Sequence, residues 1–247
     1  MNEIAVAYLE KAHPPLAYRL RPGASPTILF LPGYASDMDG AKALALDSFA
    51  AQRGFGMVRF DYSGTGLSRG TFEDGTLGGW LEEALLVVDE LTEGPLIPVG
   101  SSMGGWIALH VALRRAERVA ALVGVAAAPD FTDWGYSEAD RGALLNDGRL
   151  AQASPYGGGA QVTTQRFWES GQALRLLGGT IDVDCPVRLI HGDRDTDVPF
   201  DIALELMREL RSGDVQLTLV KDGGHRLSEP HEIQAILRTV DALLETP

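Results

Sequence analysis

A mostly parallel α/β sheet covered on both faces by helices is the fold predicted by this 247-residue sequence, and three observations predict it. Strand-length apolar runs alternate with amphipathic helical patterns along most of the chain, the rhythm of parallel strands joined by crossover helices. Several runs, such as Thr27-Ile28-Leu29-Phe30-Leu31 and the stretch 119–128, are continuously apolar, as strands buried on both faces are. Finally, Leu96-Ile97-Pro98-Val99 breaks at Gly100-Ser101-Ser102-Met103-Gly104 and resumes as a helix, which puts a serine between glycines on a sharp strand-to-helix turn.

The elements follow in order. Residues 4–9 and 16–20 read as a marginal antiparallel edge, parted by His13-Pro14-Pro15. The strand 27–31 lies between Pro22-Gly23-Ala24-Ser25-Pro26 and Pro32-Gly33, and a helix follows over 39–52 with Leu44 and Phe49 on one side. Strand 57–60 leads into Asp61-Tyr62-Ser63-Gly64-Thr65-Gly66-Leu67-Ser68. That stretch lacks the G-x-G-x-x-G spacing and the Gly-Lys-Ser/Thr ending of phosphate loops, so it reads as a tight turn. Leu77, Leu81, Leu85 and Val88 share one face of a helix over 76–91 capped by Thr76. After the serine turn come a helix over 103–116 and a buried strand over 120–127 that closes at Pro129.

Between 130 and 182 the alternation fails. Phe131, Trp134, Tyr136, Tyr156, Phe167 and Trp168 lie there among short helical fragments and the loop Gly157-Gly158-Gly159. Roughly fifty residues without a strand predict a short helical insertion folded over one end of the sheet, its aromatics forming either a small core or the lining of a channel with Trp106 and Tyr34. The rhythm resumes with a strand over 187–190, a helix over 200–210, a strand over 215–220 and a last helix over 229–244. The expected division is a core of residues 1–129 and 183–247 with a lid over 130–182.

Composition narrows the function classes. An apolar share of 45% with 22% charged residues is that of a globular chain, long enough for one substantial core. A net charge of −13 opposes binding to nucleic acid, whose phosphates would repel such a surface. No run approaches the eighteen or so apolar residues of a membrane span. The beginning, Met1-Asn2-Glu3-Ile4, lacks a signal peptide's basic and apolar regions, and the single cysteine, Cys185, excludes an intramolecular disulfide. Together these predict a cytoplasmic protein. The histidines are scattered, Cys185 has no partner at ligand spacing and the carboxylates of 193–197 do not form a calcium loop, so neither metal nor cofactor is expected.

Gly100-Ser101-Ser102-Met103-Gly104 matches the G-x-S-x-G turn that exposes a nucleophilic serine, here Ser102, and glycines keep Cβ atoms out of its crowded backbone. A serine hydroxyl needs a base, an orienting acid and an oxyanion hole. Of five histidines, only His225 sits in a loop directly after the last strand, Asp222-Gly223-Gly224-His225-Arg226, where the chemistry of open α/β sheets lies. His110 reads as a partly buried helix residue, His191 as a residue shaping the turn after its strand, and His231 as facing a helix start. The acid is expected between serine and histidine, and His191-Gly192-Asp193-Arg194-Asp195-Thr196-Asp197-Val198-Pro199 offers three. Asp195 is the choice, to accept the Nδ1 proton of His225, while Asp193 and Asp197 suit helix capping or loop amides. The oxyanion donors are expected to be the backbone N–H groups of Met103, after the nucleophile, and Tyr34, in Leu31-Pro32-Gly33-Tyr34-Ala35.

On these motifs the whole chain resembles the α/β-hydrolase fold family. Within it, Pro32-Gly33-Tyr34, Asp39-Gly40-Ala41-Lys42-Ala43-Leu44, Arg59-Phe60-Asp61-Tyr62-Ser63-Gly64, Gly78-x-Trp80 and Val99-Gly100-Ser101-Ser102-Met103-Gly104-Gly105-Trp106 are similar to one group. It comprises the acyl-protein thioesterases and acyl-glucuronide esterases called α/β-hydrolase domain-containing protein ten. The resemblance implies hydrolysis of S-palmitoyl thioesters and activated esters, on an acyl ester, a thioester or an S-acylated protein. Such enzymes are mitochondrial in animals, but without an Arg-rich leader this chain looks like a bacterial-type relative. The expected reaction is acyl transfer from substrate to Ser102 and then to water. Short-chain carboxylesterases, carbon–carbon bond hydrolases and cofactor-free haloperoxidases share the triad and stay open, as does a non-catalytic scaffold that binds a ligand in the same cleft.

Overall fold

A computed structural model describes residues 4–153 and 160–244. Its main sheet begins with a short antiparallel edge, β1 (Ala7–Leu9) on β2 (Leu16–Arg21), as the Pro-broken apolar stretches predict. Strands β3 (Ala24–Leu31) and β4 (Phe55–Phe60) are parallel to each other, and β4 pairs antiparallel with β2. Next come β5 (Leu96–Ser101) and β6 (Leu122–Val125), both buried throughout. With β9 (Val187–Gly192) and β10 (Val215–Val220) the spatial order is β1-β2-β4-β3-β5-β6-β9-β10, parallel from β4 onward. Continuous apolar runs give this architecture because helices cover both faces of the sheet.

On one face α2 (Leu77–Leu91), α3 (Met103–Arg114) and α7 (Phe200–Glu209) bury Leu77, Trp80, Trp106, Ile107 and Leu206. On the other, α1 (Ala41–Arg53) and α8 (Pro230–Leu244) bury Leu46, Ala50, Ile236 and Val240. Thr76 caps α2 by accepting the Gly79 N–H. Among the described residues no helix is long and apolar enough to cross a membrane.

Segment 130–182 differs from its expected form. It holds α4 (Phe131–Trp134), α5 (Glu138–Asp147) and α6 (Gln165–Gln172), but also an antiparallel ribbon of β7 (Arg149–Ala153) and β8 (Ala160–Thr164). A strand-finding rule based on apolar runs passes over Ala160-Gln161-Val162-Thr163-Thr164, whose pairing is made by backbone hydrogen bonds and β-branched residues and not by a buried face. Tyr156 and Gly157-Gly158-Gly159 lie outside the described residues.

The two ends of this segment are stapled together. Asp130, buried and left-handed at φ 56°, accepts the N–H groups of Leu176 and Leu177 at 2.9 and 2.7 Å. The Leu174 carbonyl receives Trp106 Nε1 at 3.1 Å and His110 Nε2 at 2.9 Å, so His110 is a buried tether on α3. From the opposite side Tyr34 donates its hydroxyl to the Val162 carbonyl at 3.0 Å.

Candidate active site

Ser102 joins β5 to α3 with φ 54° and ψ −120°, a conformation that side chains rarely adopt. Surrounding backbone holds it there: Ser102 N–H donates to Val125 O at 2.9 Å, and its carbonyl accepts from Gly105 and Ala128 at 2.9 and 3.1 Å. The flanking glycines permit this by close approach. A Cβ on Gly100 would stand 2.2 Å from Gly104 O, and one on Gly104 would stand 2.0 Å from Leu31 O. It is therefore the neighbouring backbone, and not the serine itself, that demands glycine here.

Two loops beyond the C-terminal ends of β9 and β10 are laced to one another. Asp193 N–H reaches Val220 O, Arg194 N–H reaches Gly223 O, and Asp193 Oδ1 accepts the Asp222 N–H. A Cβ on Gly192 would meet Gly223 O at 2.2 Å, so this contact needs a glycine as well. The lacing brings His225 between the other two predicted residues. Its Nε2 lies 3.1 Å from Ser102 Oγ, and its Nδ1 lies 2.8 Å from Asp195 Oδ2. Of the other two candidate acids, Asp193 holds a loop amide and Asp197 lines the cavity described below.

The Asp195 side chain is fully enclosed and ringed by donors. Its Oδ1 accepts the N–H groups of Asp197 and Val198, each at 2.9 Å, and its Oδ2 faces His225 and, at 3.2 Å, His191 Nε2. Burial by itself would raise its affinity for a proton. Hydrogen bonds from His191, His225 and Val198 outweigh burial and hold the carboxyl well below its usual range. A group whose pKa is depressed by folding stabilises the fold above its unfolded value of about 4 and loses that contribution as pH falls. Urea unfolding should therefore show wild type losing stability between neutral pH and about pH 3 more steeply than Asp195→Asn. Parallel curves would contradict the depressed carboxyl.

The loop after β3 runs against the serine, since a Cβ on Gly33 would lie 3.3 Å from Ser102 Cβ. Tyr34 follows directly, and Met103 opens α3, where first-turn N–H groups have no partner within the helix. The far end of this loop is clamped by the first residue of the stretch 61–68, whose glycines and serines predict a tight turn. Asp61, buried at the end of β4, accepts Met38 N–H and Leu67 N–H, each at 2.7 Å, while Arg59 Nη1 donates to Met38 O at 2.8 Å. Asp61 in Asp61-Tyr62-Ser63-Gly64 was visible, but nothing local says that it reaches back across the sheet.

A cavity of about 620 Å³ opens over Ser102 and His225, within the size range of small-molecule sites. Its lining includes Phe131, Trp134, Tyr136 and Tyr34 together with Ser36, Lys42, Arg226 and Ser228. Phe167 and Trp106 are buried in the core beneath, with Phe167 packed at 4.7 Å from the Tyr34 ring, so the aromatics divide between lining and support. Burial pushes the Lys42 ammonium down to about 8, helped by the nearby Arg226 charge. Among the described residues no group of three His, Cys, Asp or Glu side chains could hold a metal ion.

This architecture is that of a family. The family model described as alpha/beta hydrolase fold matches residues 26–153, and the chain belongs to that family: it is a hydrolase. Palmitoyl-protein thioesterase ABHD10, mitochondrial, of Homo sapiens is 39% identical over 236 residues, spanning 94% of this chain and 77% of the relative. The solved structure of alpha/beta hydrolase domain-containing protein 10 from mouse superposes with a TM-score of 0.92 at 36% identity, covering 98% of both chains. The solved structure named putative hydrolase from Agrobacterium vitis S4 gives 0.91 at 40% identity, covering 98% of this chain and 99% of the other.

The cytoplasmic expectation is corrected by these relatives. The human, orangutan, bovine, mouse and rat proteins are all named mitochondrial. A lone cysteine, and the absence among the described residues of a helix long and apolar enough to cross a membrane, do not select the cytosol.

Proposed function

We propose that this hydrolase cleaves S-acyl thioesters with an apolar acyl chain, including those on S-acylated proteins, through an acyl-enzyme on Ser102. The observation that carries the catalytic assignment is the position of His225, within hydrogen-bond reach of both Ser102 Oγ and Asp195 Oδ2. His225 takes the Ser102 proton as Oγ attacks the carbonyl carbon, and Asp195 keeps the imidazole oriented and stabilises its charged form. The oxyanion rests on the N–H groups of Met103 and Tyr34, and collapse of the intermediate expels the leaving group, a thiol or, from an ester, an alcohol, with the proton handed over by His225, which is thereby neutral again. Water then attacks the acyl-enzyme, with His225 taking its proton and returning it to Ser102.

Substrate choice rests on the thioesterase names of the relatives and on the aromatic part of the cavity. Residues 130–182 act as the lid, because they contribute Phe131, Trp134 and Tyr136 to the lining of the cavity. Hydrolysis should be measured over S-acyl thioesters and p-nitrophenyl esters from two to sixteen carbons, with fluorophosphonate labelling of wild type as the activity control. We expect labelling and a kcat/KM that rises with acyl length on thioesters. A preference for the shortest esters would remove the substrate assignment while keeping the chemistry. An unlabelled, folded wild type would remove the acyl-enzyme.

A further inference from the structure

His191 was expected only to shape a turn, yet it is the second imidazole on the proposed catalytic acid. It occupies the fifth position of β9 and is 1% exposed. Its Nε2 faces two oxygens, Val198 O at 2.9 Å and Asp195 Oδ2 at 3.2 Å. The carbonyl is an acceptor only, and so is an ionised carboxylate; Nε2 therefore carries the proton, donates it to Val198 O and turns the positive end of the same N–H toward Asp195 Oδ2. Val198 closes the circle by donating its own N–H to Asp195 Oδ1. The spacing His191-Gly192-x-x-Asp195-x-x-Val198 thus closes a ring of polar contacts around a carboxylate, two of them hydrogen bonds and the third the 3.2 Å approach of Nε2 to Oδ2.

We propose that His191 is a positioning residue for the reaction: its Nε2–H shares Asp195 Oδ2 with His225, fixing the carboxylate's orientation and limiting how strongly it pulls on the catalytic imidazole. This rests on the roles proposed above for Ser102, Asp195 and His225. Fixing the orientation favours turnover, because a carboxylate free to rotate would let His225 leave its line to Ser102 Oγ. Sharing Oδ2 acts on proton affinity. A carboxylate relieved of one donor is a stronger acceptor for the remaining one, so without His191 the protonated form of His225 is better stabilised.

Among the elements packed against β9, helix α7 carries Asp201, Glu205, Arg208 and Glu209. Strands β6 and β10, which flank β9, carry no ionisable side chain. In the adjoining loops Asp193 accepts the Asp222 N–H, Arg194 pairs with Asp222, and Asp197 and Arg226 line the cavity beside His225.

The test compares wild type, His191→Phe, which removes the donor, and His191→Gln, whose amide N–H substitutes for Nε2–H. Folding is checked by circular dichroism, and rates are measured on one p-nitrophenyl ester. In His191→Phe we expect kcat to fall about tenfold with KM unchanged, the scale of one charge-assisted hydrogen bond. The acid limb of kcat/KM should move to higher pH, and His191→Gln should restore both. A folded His191→Phe with wild-type kcat and an unmoved limb overturns the proposal. So does a loss of rate that leaves the limb in place and is not rescued by glutamine, since that marks a merely structural role. If His191→Phe does not fold, ¹⁵N-imidazole NMR of wild type at neutral pH decides: the Nε2–H tautomer is expected, and the Nδ1–H tautomer overturns the proposal. Ser102→Ala serves as the companion control. Activity surviving there would bring down the catalytic assignment and His191's role with it, whereas a dead Ser102→Ala beside an unmoved limb removes the role of His191 alone.

Discussion

Replacing Ser102 by alanine is expected to lower kcat on acyl thioesters by about 10⁴-fold or more and to abolish fluorophosphonate labelling. His225→Ala should lose nearly as much. The double variant should be little worse than either, because a nucleophile and its base act as one unit and removing either leaves the other without a task. The geometry supplies the reason: Ser102 Oγ has one basic neighbour at 3.1 Å, and that neighbour is held by Asp195 at 2.8 Å. Residual hydrolysis in the double variant reports what the backbone donors and the cavity contribute alone. Two independent, multiplying losses would mean that Ser102 and His225 do not share a step. Full labelling of Ser102→Ala would place the nucleophile elsewhere.

Gly104→Ala is expected to have the largest effect among substitutions that remove no reactive atom. The added Cβ would stand 2.0 Å from Leu31 O, a main-chain atom of β3 that cannot rotate away. Either the start of α3 or the loop after β3 must shift, and these carry the Met103 and Tyr34 amides. We expect a loss of about 3 kcal/mol or more in urea unfolding. Where the variant is still folded, kcat should fall by about a hundredfold, as it does when one oxyanion donor is lost. Gly142→Ala is the control, since that glycine lies within α5 and a Cβ there meets nothing within 4 Å. It should stabilise by about 0.5–1 kcal/mol through helix propensity. A Gly104→Ala protein as stable and active as wild type would contradict the close packing at the serine turn.

Much of this arrangement was legible in the chain because its signals are local. Continuous apolar runs gave away buried parallel strands, and Gly100 and Gly104 marked a turn too tight for side chains. His225 could be selected because a loop directly after a strand is where an open sheet exposes its residues, and the order of serine, acid and histidine confined the acid to 193–197. The relatives corrected the compartment, a property that neither a single cysteine nor the absence of an apolar span encodes.

What the amino-acid order determined by itself, then, was the parallel sheet, the serine turn and a short list of partners, since periodicity and backbone sterics act over neighbouring residues. Only the tertiary structure decided the rest. It gave polar β7 and β8 a partner in each other, sent Phe167 into the core and Phe131 to the cavity wall, drew Asp61 back onto Met38, and set His191 beside His225 on a single carboxylate oxygen. Each of these outcomes depends on which groups meet across elements distant in sequence. A buried donor or acceptor is satisfied by whatever the fold brings within about 3 Å of it, and that partner is not written next to it in the chain.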